Sequence, residues 1–100
     1  MSKQTFQGAQ IFRDAAAYIR KHGWQRKGMG EHGEPRCSMG ALQSAHPMER
    51  WDQEMAVLMF ATLYDELGGL TLTQFNEKVK DGNEVADLYD QVAACLENNP

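Results

Sequence analysis

The sequence predicts a mainly α domain, with three longer helices and one or two short ones around a Gly-rich loop or short β-hairpin near residues 24–37. Three observations predict it. Apolar residues recur at three- and four-residue steps in three separate stretches, the spacing that lines one face of a helix. Glycine and proline cluster between those stretches. Residues 24–37 contain no β-branched side chain, which argues against a well-formed sheet there.

The first helix begins near Thr5. Phe12, Ala15, Ala16 and Ile19 form its stripe, widened by Ile11 and Tyr18, while Gln10, Arg13, Asp14, Arg20 and Lys21 hold the opposite face. Arg20, Lys21 and His22 precede Gly23, and basic residues in a last turn before a glycine form a helix stop. The segment WQRKGMGEHGEPRC, 24–37, has no helical period. Gly28, Gly30, Gly33 and Pro35 make it turn or loop, or two short strands closed at Glu31–Glu34.

Ser38 is placed to cap a short helix through Gly40, Ala41, Leu42 and Ala45, which Pro47 ends. A second long helix is expected from about Met48 to Leu67. Trp51, Met55, Leu58, Met59, Thr62 and Leu63 hold one face, and Val57, Phe60 and Ala61 broaden the apolar surface, so that more than one neighbour is expected. Gly68 and Gly69 stop it. Leu72, Phe75 and Val79 predict a short helix within 70–80, capped by Thr71 or Thr73. After the turn at Asp81-Gly82-Asn83, with Asn83 as cap, Val85, Leu88, Tyr89, Val92 and Leu96 mark the last helix.

One hundred residues fit one domain, 1–100, with fraying expected at 1–4 and 98–100. A hydrophobic share of 42% against 24% charged residues excludes wholesale disorder. The longest apolar run, Met55 to Ala61, falls well short of the ~20 residues that cross a bilayer. No stretch reads as a signal peptide, and Cys37 and Cys95 share no ligand spacing. Free thiols in a reducing cytoplasm are the expectation.

Charge is unevenly spread. Residues 1–50 hold eight Lys/Arg and four acids, net +4, while residues 51–100 hold two Lys and ten acids, net −8. The plainer consequence is that the two halves pack together and neutralise each other, within one copy or between two copies.

Four groups of residues have types that could carry chemistry. His22, His32, Cys37 and His46 contain metal-binding types, but gaps of ten, five and nine residues do not give the close ligand pairs of zinc sites. Cys37 with His32 or His46 as base would be a nucleophile only if the fold joined them. GMGEHG lacks the Lys-Ser/Thr ending of a phosphate loop and follows no predicted strand. Arg20, Lys21, Arg26 and Lys27 around Trp24 combine cations with an aromatic, as single-strand nucleic-acid binding requires, though the acidic pI of about 5.2 opposes it. Met29 lies between glycines in a polar loop, where an exposed methionine suits protein contact.

The order Ala-rich helix, Gly23-Trp24, glycine-punctuated loop, Arg36-Cys37, Gly40-Ala41-Leu42, then Phe75-Asn76-Glu77 and Glu84-Val85 resembles a family of small uncharacterised proteins of actinobacteria and their phages. The likeness spans roughly residues 9–45 and 72–96. Phe75 stands where the family usually has Trp, and Glu77 where it usually has Asp. The resemblance implies an accessory role without an assigned activity. The shared residues read as scaffold: Trp24 and Cys37 pinning the loop, Gly40 permitting close approach, Asn76 bonding loop backbone. The alternative is one pocket lined by Trp24, Arg36, Cys37 and Asn76.

The sequence therefore predicts a non-enzymatic accessory protein that binds a host protein through Arg20, Lys21, Trp24, Arg26, Lys27 and Met29. No catalytic residue, metal or cofactor is assigned. Nucleic acid at the same patch is the first alternative, and a Cys37-centred enzyme or metal site the second.

Overall fold

A computed structural model describes residues 3–98. Five helices form: α1 (Lys3–His22), α2 (Ser38–Ala45), α3 (Gln53–Glu66), α4 (Leu72–Lys78) and α5 (Gly82–Asn98). A 3-10 turn at Met48–Arg50 precedes α3. Of the ends expected to fray, residues 1, 2, 99 and 100 lie outside the described residues, whereas α1 already includes Lys3 and α5 extends to Asn98.

Helices α1 and α5 form the central pair and share the most extensive interface. Their stripes bury Phe12, Ala15, Ala16 and Ile19 against Val85, Ala86, Tyr89, Val92, Ala93 and Leu96. The fully buried alanines let the backbones approach, and Phe12 meets Tyr89 at a ring-centroid distance of 5.3 Å. Tilted aromatic contacts of this kind add to the burial of the rings themselves. Helices α2 and α3 pack on α1, α3 also touches α5, and α4 rests on α2. Met55, Met59 and Leu63 carry the core face of α3, and Ala41 and Leu42 that of α2.

The charge asymmetry joins the central pair. Arg20 on α1 pairs with Asp87 at 3.0 Å and Asp90 at 2.7 Å on α5. Two turns earlier on α1, Arg13 donates to both carboxylate oxygens of Glu97 and lies 3.8 Å from Asp90. The basic first half and acidic second half thus neutralise each other within one molecule along this seam.

Four local expectations are corrected. Among the described residues no strand forms at 24–37. The segment closes instead with one isolated parallel bridge between Trp24 and Arg36, where the amide of Gln25 donates to the Arg36 carbonyl at 3.2 Å. A hairpin is antiparallel, so this is a loop that doubles back, not a ribbon. The long helix expected from Met48 begins only at Gln53, because Asp52 caps it by accepting the Met55 amide at 3.3 Å. Trp51, expected inside that helix, lies before it and donates its indole N–H to the His46 carbonyl at 2.8 Å. Cys37, rather than Ser38, caps α2, its Sγ accepting the Gly40 amide at 3.5 Å. Asp81, rather than Asn83, accepts the Glu84 amide at the start of α5.

Other expectations hold. Gly23 ends α1 with φ of 96°, a backbone region closed to most side chains, and its amide reaches the Ile19 carbonyl. Thr71 and Gln74 form a reciprocal capping box on α4.

The α1–α5 seam has a pH signature. The hydrogen bond from Arg13 holds the Glu97 carboxyl below its ordinary range. A depressed folded-state value contributes stability above the unfolded value and loses it as pH falls through the folded value. Urea unfolding at pH 7 and pH 3 is expected to show a larger loss for the wild type than for Arg13→Met. Equal losses would mean that the pair contributes nothing to folding.

Candidate functional site

The irregular segment between α1 and α2 must satisfy its backbone groups without a sheet ladder, and it does so through side chains. Asn76 on α4 is the main one. Its Oδ1 accepts from the Trp24 indole at 3.2 Å, the Ser38 amide at 3.0 Å and the Ser38 hydroxyl at 2.5 Å, and its Nδ2 donates to the Arg26 carbonyl at 2.8 Å. The Ser38 carbonyl in turn accepts from the Tyr89 hydroxyl at 2.6 Å, which ties the cluster to the core of α5. Complete burial pushes the Tyr89 phenol well above its ordinary value, so the hydroxyl stays a donor.

Arg26 reciprocates. Its guanidinium donates to the carbonyls of Asn76 at 2.9 Å, Glu77 at 2.7 Å and Val79 at 2.7 Å, satisfying the open end of α4. It also lies over the Trp24 ring, 5.2 Å from the centroid. Arg36 is buried and donates to the Met29 carbonyl and to Ser44 Oγ, each at 2.6 Å. Gly40 makes this possible. A Cβ there would come within 2.8 Å of the Met29 carbonyl and 2.9 Å of Arg36 Cβ. Tyr18 fastens the far tip by accepting the Gly33 amide at 2.8 Å and donating to the Glu34 carbonyl at 2.7 Å.

The six residues singled out for partner binding therefore fall into two sets. Arg20, Trp24 and Arg26 have intramolecular partners: Arg20 across the α1–α5 seam, Trp24 at Asn76, and Arg26 at the end of α4. Lys21, Lys27 and Met29 are exposed. The proposed four-residue pocket forms only in part. A recess of about 380 Å³ is lined by Cys37 and Asn76 together with Arg26, Lys27, Met39 and Leu72, whereas Trp24 and Arg36 are not among its lining residues.

The thiol and imidazole candidates separate as well. Cys37 and His46 cap opposite ends of α2, and His32 packs near Tyr18, with ring centroids 5.6 Å apart. His22 flanks the same tyrosine at 4.6 Å. Among the described residues no three His, Cys, Asp or Glu side chains converge as metal ligands. Cys95 lies far from Cys37 in sequence and donates to Glu66 at 2.9 Å, a bond that raises its thiol above the ordinary value.

Helix α3 meets both α1 and α5, as its broad apolar surface predicts, yet part of that surface stays open. On α3, Val57 is 66% exposed, Phe60 37% and Tyr64 51%, with exposed Ala61 between them. Trp51 stacks beside Phe60 at 5.7 Å and widens the patch. Its signal in the sequence was the breadth of the α3 apolar surface, which exceeds what one buried face requires.

These features define a small five-helix domain with a side-chain-buckled loop, no evident catalytic constellation, and no helix among the described residues long and apolar enough to cross a membrane. The chain belongs to DUF6197, a family of unknown function whose model matches residues 4–95. No curated protein and no solved structure matches it.

Asn76→Ala removes one acceptor from three donors and one donor from the loop. Unfolding in urea is expected to show a loss of about 2–4 kcal/mol, since buried donors are left without partners. Glu77→Ala, an exposed neighbour, should stay within about 0.5 kcal/mol of wild type. Equal effects of the two substitutions would remove Asn76 from its central position.

Proposed function

We propose that this chain is a non-enzymatic accessory protein of an actinobacterium or actinobacteriophage that acts by binding a host protein, and that the outer face of α3 is its contact surface. One observation carries the reading: Val57, Phe60, Ala61 and Tyr64 form a contiguous exposed row at steps of three and four residues. Single exposed apolar side chains are ordinary, but a continuous row widened by a stacked tryptophan is a contact surface in a small domain. Binding by such a row needs neither cofactor nor metal.

The α3 face is preferred to the basic loop on energetic grounds. Recruiting Arg20 or Arg26 to a partner would break the α1–α5 seam or uncap α4. Lys21, Lys27 and Met29 remain available, which makes the loop a subsidiary surface. Nucleic-acid binding faces the same cost, and Arg26 already lies over the Trp24 ring.

Capture of proteins from nuclease-treated actinobacterial lysate tests the assignment. Wild type, Val57→Glu/Tyr64→Glu and Lys21→Glu/Lys27→Glu are compared, each checked for helicity by circular dichroism. A protein retained by wild type and the lysine variant but lost by the α3 variant is the expected result. Loss confined to the lysine variant would return the contact to the loop. Recovery that requires intact nucleic acid would overturn the protein-binding reading.

A further inference from the structure

The exposed row on α3 has two unlike edges. With about 100° between successive residues, Phe60, Tyr64, Val57 and Ala61 form one band, and Glu54 and Asp65 follow it on one side. Both carboxylates are exposed, and neither side chain has a hydrogen-bonding or ionic partner among the described residues. Helix α3 contains no Lys or Arg. On the other side the band opens into a recess of about 220 Å³, walled by Phe60, Leu63 and Tyr64 of α3 together with Met39, Leu70 and Leu72. That recess has room for one large apolar side chain.

We propose that this surface receives an amphipathic helix from a partner protein, with basic residues along one edge and a large apolar anchor on the other. The inference rests on the protein-binding reading and adds the chemistry of the partner. The apolar face of the incoming helix covers Val57, Phe60, Ala61 and Tyr64, its anchor enters the recess, and Lys or Arg side chains face Glu54 and Asp65. This is helix-in-groove recognition, in which anchors at helical spacing supply affinity and flanking charges set orientation. Glu54 and Asp65 are eleven residues apart, about 16 Å along the axis, so a helix of roughly three turns reaches both.

Charge selects this occupant over a second copy of the chain. An antiparallel twofold pairing of α3 with itself would align Glu54 and Asp65 of both copies along one edge, four carboxylates with no cation from either helix. A parallel twofold pairing would set the carboxylate edge of each copy against the apolar recess of the other, desolvating charge without a counter-ion. A basic-edged helix meets neither obstacle.

The test uses two synthetic 18-residue peptides with the same single leucine face, one with lysine and one with glutamate at all other positions. Amide shifts of the full chain locate binding, and titration gives affinity. The lysine peptide is expected to bind at residues 53–66 and 70–73, with the glutamate peptide at least tenfold weaker. Glu54→Lys/Asp65→Lys should reverse that order, gaining the glutamate peptide as it loses the lysine peptide. Because the double substitution also takes the net charge from −4 to 0, the swap supports the site only when the shifts that change are those of 53–66 and 70–73, and a uniform change across the surface would overturn it. Equal binding of both peptides at α3 would overturn the charge-selected partner while leaving the protein-binding reading intact. Binding mapped away from α3, or an order unchanged by the double substitution, would overturn the inference. A concentration-dependent dimer in sedimentation, abolished by Val57→Glu, would assign the face to a second copy instead.

Discussion

The structure depends on the reciprocal hold between Asn76 and Arg26. A seven-residue helix is too short to persist by its own hydrogen bonds, so α4 needs tertiary support. The segment from Gly23 to Cys37 has no ladder of its own, so it needs side-chain partners. Each supplies the other. Asn76 of α4 gathers Trp24, Arg26 and Ser38, while Arg26 of the loop satisfies three carbonyls at the end of α4. Through Ser38 and Tyr89 the arrangement is fixed to the α1–α5 pair. Losing one member exposes several buried donors or carbonyls at once, so the cluster behaves as a unit rather than as separate bonds.

The same accounting reassigns the charges. The sequence places +4 in one half and −8 in the other, a pattern open to use against an external partner. Arg13 and Arg20 turn inward to Glu97, Asp87 and Asp90, and Arg26 and Arg36 serve the loop. Four of the eight basic residues in the first half are therefore engaged in holding the fold together. The carboxylates of α3 are different, because that helix carries no cation to meet them. Beside the open apolar row, the charge that α3 itself offers a partner is therefore acidic.

How much of this was legible follows from the kind of signal each element carries. Helices α1 and α5 were plain because their stripes repeat over two to three turns and each has one end marked by recognisable chemistry, Gly23 closing α1 and the Asp81 turn opening α5. The start of α3 was hidden because Met48 and Trp51 fit the helical period, yet Asp52, three residues before Met55, offers a stronger start signal than the apolar pattern suggests. Ser38 is the cap that residue type suggests, since a hydroxyl accepts more strongly than sulfur. Its hydroxyl is committed to Asn76, a contact 38 residues away that no local rule contains. Asn76 itself could be singled out as a tie between the halves, but its set of three partner residues could not. For the basic patch, residue types showed cations near Trp24 but not where their donors go, and those donors decide which of them can meet a partner.

Two recesses of the molecule share a wall, and that bears on how the α3 face can bind. Met39, Leu72 and Thr73 line both the recess near Cys37 and the apolar recess beside Phe60 and Tyr64. The wall is therefore built from the first turns of α2 and α4, two helices that the Asn76–Ser38 contacts hold together. A recess with a wall fixed in this way exists before a partner arrives, so an anchor side chain entering it does not bear the cost of ordering the site. The loop then has a physical role at a distance from itself. By bracing α4 against α2, it keeps open the groove beside the exposed row of α3.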